Sequence, residues 1–274
     1  MQDEGFITVT SKRRTKRRNF VVDQERVFQE DLENFTICPE VASRRLEAAK
    51  LDLQTSDYYS SVLAVLREAL SLIGASAIEE ILCYGLGQFS ECMISRYQCA
   101  LLILLQENFN AKVLVHDPVF GVSECKLLGN FGFEVITENE EGCRKLSGKV
   151  TLVFLPHCPR QLTDNFLRTN WSSDALSKCL LFSNSLAHLT ESGSKIGELS
   201  KDCPCSVALF PYSVELGLVN CFRYVEIFND LALHVFPAPK LSVASQDLWY
   251  FRPPNYCKKD IEFISKEEKS HIFG

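Results

Sequence analysis

No stretch of this sequence is long and apolar enough to cross a membrane as a helix. The longest purely aliphatic run is Ala100–Leu105, far short of the roughly 18–20 residues that a span requires. Positive charge is not in excess either. The 274 residues carry 29 Lys and Arg against 35 Asp and Glu, a net of −6. No overall basic field gathers nucleic acid, so direct DNA binding is not expected. The opening Met-Gln-Asp-Glu lacks the apolar segment of a secretory signal. No Cys-x-x-Cys pair occurs, which removes zinc ribbons and thioredoxin-type sites in their usual form; no metal centre is expected.

What is present is a globular composition. Forty-six per cent of residues are hydrophobic and 23% charged, a balance that supports one large core. Of the twelve cysteines, Cys83, Cys99, Cys125 and Cys179 lie inside apolar segments, where thiols act as small hydrophobes. A reduced setting, cytoplasm or nucleus, is the expectation.

Residues 1–36 read as a charged, disordered tail. Lys12, Arg13, Arg14, Lys16, Arg17 and Arg18 put six positive charges in seven positions, a pattern for nuclear import or a nucleic-acid contact. The plain alternative is a solvated tail balanced by Asp23, Glu25, Glu30, Asp31 and Glu33. Residues 37–240 read as a single α/β domain and 241–274 as a C-terminal tail.

Two helices open the domain. In the second, Tyr59, Val62, Leu63, Leu66, Leu70 and Ile73 recur at helical spacing, with Ser56 or Asp57 as N-cap and Gly74 as the stop. From residue 78 onward strands and helices alternate. Strands are expected at 81–84, 112–117, 133–137, 150–155 and 180–183, and helices at 95–109, 123–131 and 163–170. That alternation implies crossover units and a mainly parallel, Rossmann-like sheet with helices on both faces. Cys221–Phe228 and Leu231–Phe236 are β-rich runs around Asn229-Asp230, which predicts a closing antiparallel hairpin. A parallel sheet ended by such a hairpin is the layout of S-adenosylmethionine-dependent methyltransferases, a likeness of fold that assigns no chemistry by itself.

Several short motifs stand in order along this domain: Tyr84-Gly85-Leu86-Gly87, Ser95-Arg96-Tyr97-Gln98, His116-Asp117-Pro118-Val119-Phe120, Asn139-Glu140 with Gly142, Pro156-His157-Cys158-Pro159, Asn170-Trp171 and Asn184-Ser185. Together they resemble the sensitivity-to-red-light-reduced (SRR-like) family in its animal, SRRD-type form, over about residues 60–190. The resemblance implies a regulatory role: circadian-clock input and, in animals, control of haem biosynthesis, in cytoplasm and nucleus. It carries no reaction.

The residues permit sharper readings. Gly85 and Gly87 follow a strand and precede a helix, the context in which backbone N–H groups approach an anionic ligand. The third glycine of a dinucleotide fingerprint is replaced by Ser90. Asp117, ending the second strand, is placed to accept hydrogen bonds from a ribose, or simply to cap a tight turn. Ser95 and Arg96 open a buried helix, where Arg96 suits a phosphate or carboxylate; alternatively Ser95 is an N-cap and Arg96 pairs with an acid. In an open parallel sheet the strand carboxyl ends share one rim. Tyr84, Gly85, Gly87, Asp117, His157, Cys158, Asn184 and Ser185 are therefore expected around one ligand pocket. There His157 would be a base or ligand and Cys158 a nucleophile or thiolate ligand, unless the proline-bracketed turn is only rigid scaffolding.

Cysteine–proline dipeptides suggest haem. Cys38, Cys158 and Cys203 each precede a proline, where random placement gives roughly 0.4 such pairs; a proline can aim a thiolate at ferric iron. Two functions from different classes follow. One is a regulatory protein with a small-ligand pocket and an unidentified protein partner. The other is a transferase using S-adenosylmethionine or a nucleotide.

Overall fold

The computed structural model describes residues 38–191 and 203–250. The basic cluster at Lys12–Arg18 and residues 251–274 of the expected tail lie outside the described residues.

Helices α1 (Pro39–Gln54) and α2 (Asp57–Leu72) open the domain. Ser56 caps α2, its hydroxyl accepting the Tyr59 N–H at 3.2 Å. Past its end, Ala75 N donates to Leu70 O around the Gly74 turn. The alternating part follows as β1 (Glu80–Tyr84), α3 (Met93–Phe109), β2 (Lys112–His116), α4 (Val122–Asn130) and β3 (Glu134–Val135). It continues through β4 (Thr151–Leu155), α5 (Arg160–Thr169), α6 (Ser173–Leu176), β5 (Cys179–Asn184) and α7 (Leu186–Glu191). Helix α8 (Pro204–Leu209), β6 (Val214–Gly217), β7 (Leu231–Val235), α9 (Ala238–Ser242) and α10 (Gln246–Tyr250) complete it.

The strands form one seven-stranded sheet in the order β3-β2-β1-β4-β5-β7-β6. Strands β1 to β5 pair in parallel, whereas β7 runs antiparallel to both β5 and β6. Period-two alternation divides the strand residues between two cores. Ile81, Cys83, Leu152, Phe154, Leu180 and Phe182 join the core under α1 to α4, with Leu46, Leu66 and Leu101. Leu82, Tyr84, Val153, Leu155 and Leu181 face the opposite core, with Phe166 of α5, Leu176 of α6, Leu209 of α8 and Leu241 of α9. Both faces are covered, which is why the central strands read as unbroken apolar runs.

The closing antiparallel pair differs from expectation in one member: Val214–Gly217, not 221–228, lies beside β7. Residues 221–228 lack period-two burial. Phe222, Ile227 and Phe228 are buried around an exposed 225–226 pair, and Val225–Ile227 forms a 3₁₀ turn. Phe228 stacks on Tyr58 at 4.4 Å between ring centroids, and Phe222 packs edge-on against Tyr97 at 5.3 Å. Aromatic packing against α2 and α3 overrides the β-propensity of this run.

The chain remains packed past residue 241. The Trp171 indole donates to Leu248 O at 2.8 Å and meets the Trp249 ring, so Trp171 is an anchor for α10. Among the described residues, no helix is long and apolar enough to cross a membrane.

Candidate functional site

The order β3-β2-β1-β4-β5 reverses direction between β1 and β4. The connection leaving β1 heads toward α3 and β2, and the one leaving β4 heads the other way. An open sheet leaves a crevice at such a switch point, outside the strand carboxyl ends. A cavity of about 350 Å³ occupies it, lined from the β1, β2 and β4 turns by Tyr84, Gly85 and Gly87, by Asp117 and Val119, and by His157 and Cys158.

The turns meet closely. Gly85 has φ +69°, a left-handed conformation that a residue with a Cβ resists. A Cβ there would also overlap the Cys158 sulphur. The Cys158 thiol donates to Tyr84 O at 3.2 Å, so the β4 turn is hydrogen-bonded to the end of β1. Burial, followed by the Asp117 charge, pushes the Cys158 thiol well above its ordinary range.

Carboxylates organise the rest. Asp117, only 8% exposed, accepts Gly87 N on Oδ2 at 2.7 Å and Val119 N on Oδ1 at 2.9 Å. Its pKa is raised by burial, against which both backbone hydrogen bonds act. Glu124 of α4 accepts Ser90 N and Ser90 Oγ, both at 2.9 Å, and Gly121 N at 3.0 Å. The Tyr84 hydroxyl donates to Glu140 at 2.9 Å, and Arg144 grips the same carboxylate with two N–H groups at 2.7 and 2.8 Å. Burial first, then Glu140, raise the Tyr84 phenol.

Other predicted residues stand elsewhere. Arg96 does not face the cavity: its guanidinium donates to the Phe89, Ser90 and Glu91 carbonyls at 3.2, 2.8 and 3.3 Å, which makes it an organiser of the 88–92 loop. Cys92, not Ser95, occupies the α3 N-cap position. Ser95 lies buried beneath Gly87, where an added Cβ would come within 2.6 Å of its hydroxyl oxygen. Asn184 supports the β4 turn from below, accepting His157 N at 3.0 Å and donating to Cys158 O at 3.2 Å. Ser185 donates to Glu215 of β6 at 2.6 Å and starts α7 by accepting His188 N. It thus belongs to a cluster in which Glu215 also accepts Ala187 N at 2.8 Å and lies 3.0 Å from His234 Nε2.

His157 reaches the cavity but commits both ring nitrogens. Nε2 lies 2.9 Å from the Asn229 carbonyl and so carries its proton; Nδ1 then accepts from the Gln98 amide at 3.3 Å. Neither nitrogen is poised to take a proton from a ligand, and the neutral Cys158 thiol is a poor nucleophile. The three Cys-Pro cysteines do not converge. Cys38 is exposed at the start of α1 beside Glu40, whereas Cys158 and Cys203 are buried in different turns. That burial leaves neither of the latter two open to a porphyrin iron. Among the described residues, no group of three or more His, Cys, Asp or Glu side chains is arranged for a metal ion.

His116, Pro118, Asn139, Pro159 and Leu162 also line the cavity. The first four belong to the motifs quoted above, whereas Leu162 carries no local signal. Gln98 and Asn229, which hold His157, are distant in sequence and carry no local signal.

The SRR1 domain matches residues 65–235. An SRR1-like protein of Mus musculus is 33% identical over 184 residues, covering 56% of this chain and 74% of its own. An SRR1-like protein of Drosophila melanogaster is 29% identical over 242 residues, covering 85% and 83%. The Arabidopsis thaliana protein named SENSITIVITY TO RED LIGHT REDUCED 1 is 27% identical over 203 residues, covering 70% and 74%. No solved structure matches. A domain match over most of the chain, seconded by relatives from animals and a plant, makes this chain a member of the SRR1 domain family.

Proposed function

We propose that this chain is a regulatory protein that works through a small ligand held at the switch point of its sheet. The observation that carries this reading is the convergence of the β1, β2 and β4 turns on one cavity, in the place where open α/β sheets bind ligands. The name of the plant relative, which speaks of sensitivity to red light, supports a place in light and circadian signalling. Control of haem biosynthesis is the further output that the SRR-like resemblance implies. The protein would act in cytoplasm and nucleus, with a protein partner that distinguishes its liganded from its empty form.

The competing reading is a transferase using S-adenosylmethionine or a nucleotide. It needs a base or nucleophile facing the cavity, and the bonds made by His157 and the burial of Cys158 argue against either.

Calorimetric titration of the wild type and Val119→Trp against S-adenosylmethionine, NAD, ATP and hemin tests the proposal. Val119 lines the cavity and is 39% exposed, so a tryptophan there fills the space without opening either core. A compound that binds the wild type and loses about tenfold or more in the variant supports the reading. Equal affinity in both proteins, or no binding by any compound, counts against it.

A further inference from the structure

We infer that the switch-point cavity takes a ribonucleoside without phosphate groups, neutral or cationic, S-adenosyl compounds included. This rests on the reading above that the cavity holds a small ligand, and adds the ligand's chemical class.

The glycine loop is where a Rossmann-type sheet ordinarily binds phosphate, through backbone N–H groups opening the following helix. Here three N–H groups of the loop before α3 already have partners. Gly85 N donates to His116 O at 3.3 Å, Gly87 N to the Asp117 carboxylate and Ser90 N to the Glu124 carboxylate. A phosphate would have to displace an anion that the fold supplies itself. The lining offers no Lys or Arg among the described residues; its imidazoles are His116, whose Nδ1 lies 2.8 Å from Ile136 O, and His157, engaged at both ring nitrogens, and Asp117 contributes a negative charge. The neighbouring arginines are engaged: Arg144 holds Glu140, Arg96 holds three carbonyls, and Arg160 lines a separate small cleft with Asn184 and Ser206. An unpaired phosphate entering beside a buried carboxylate is strongly disfavoured.

The same features suit a sugar diol. Each Asp117 oxygen accepts one backbone N–H, and a carboxylate oxygen has a second lone pair to offer a hydroxyl. The end of the second strand is where α/β sheets place the acid that binds a ribose. Around it, Tyr84, Pro118, Val119 and Leu162 give apolar walls for a base. A volume of about 350 Å³ is at the lower end for ligand pockets, which suits a nucleoside better than a dinucleotide. A cationic group such as a sulfonium would be drawn by Asp117 instead of repelled.

The test is calorimetric titration of the full chain with adenosine, guanosine, cytidine, uridine, S-adenosylmethionine, ATP and NAD, together with the 2′-deoxy form of any nucleoside that binds. At least one ribonucleoside or S-adenosylmethionine is expected to bind, and for a nucleoside the deoxy form should be roughly 10- to 100-fold weaker, the usual loss for a hydrogen bond to a charged group. ATP should bind more weakly than adenosine. In Asp117→Asn the ribose preference should fall to near unity. Should that variant unfold, the wild-type ribose-to-deoxyribose ratio decides alone, because a merely structural Asp117 gives no such ratio. Tighter binding of ATP or NAD, equal affinity for ribose and deoxyribose forms, or silence from every nucleoside and from S-adenosylmethionine overturns the inference. Silence here with Val119-sensitive binding of hemin would overturn this ligand class and leave the proposed function standing.

Discussion

Replacing Gly85 with alanine reports on whether the β1 and β4 turns really meet. Gly85 has φ +69°, a conformation that costs an L-residue roughly 1–2 kcal/mol. The added Cβ also overlaps the Cys158 sulphur, and overpacking a full site costs about 1–3 kcal/mol. The thiol cannot rotate away without losing its hydrogen bond to Tyr84 O. Gly85→Ala should therefore lower stability by roughly 2–5 kcal/mol. Cys158→Ala alone should cost about 1–3 kcal/mol, from a small cavity and one lost hydrogen bond. In the double variant the overlap is gone, while the left-handed cost and the loss from Cys158→Ala both remain. The two single losses should then overshoot the double by about 1–3 kcal/mol. Urea unfolding of the four proteins reads this directly, provided their m values agree. Additivity within about 0.5 kcal/mol would refute the contact, and with it the closeness of the turns.

Two further outcomes concern the supports of the fold. Tyr58 is fully buried, and its hydroxyl has no hydrogen-bond partner among the described residues. Tyr58→Phe should leave stability unchanged or raise it by about 1 kcal/mol, checked by thermal melting; a loss of that size would mean that the hydroxyl is bonded. At Glu215, burial raises the carboxyl pKa, but hydrogen bonds from His234, Ser185 and Ala187 outweigh it and hold the group at about 2. Because the folded value lies below the unfolded value of 4.5, the stabilisation is present above pH 4.5 and is lost as pH falls from 4.5 toward 2. Glu215→Gln should thus destabilise by roughly 1–3 kcal/mol at pH 7, with the gap to wild type closing across that acid window. A gap that is constant from pH 7 to 3 contradicts the role given to this carboxylate.

Much of the fold was legible because its central strands are buried on both faces. Ile81–Tyr84, Val150–Leu155 and Leu180–Ser183 therefore stand out as short apolar blocks. The strand β6 was not legible, since its Glu215 sits in a half-buried site by virtue of His234 and Ser185, partners that local sequence does not announce. The aromatic run at 221–228 had the better β-composition and was taken by Tyr58 and Tyr97 instead. At the site, positions were easier to read than orientations. Strand ends locate Gly85, Asp117 and His157, because crossover topology brings parallel carboxyl ends to one rim. The direction of Arg96, the supporting place of Asn184 and the engaged ring of His157 depend on bonds formed only in the folded chain, two of them to residues 59 and 72 positions away from His157.

Amide hydrogen exchange, with and without a saturating amount of the compound that the titrations find to bind, shows whether the β1, β2 and β4 turns form one ligand site. Slower exchange is expected at residues 85–87, 117, 119 and 157–158 together, with no change at the Ser185–Glu215 cluster. Protection confined to a single turn, or appearing only outside these three, would contradict it.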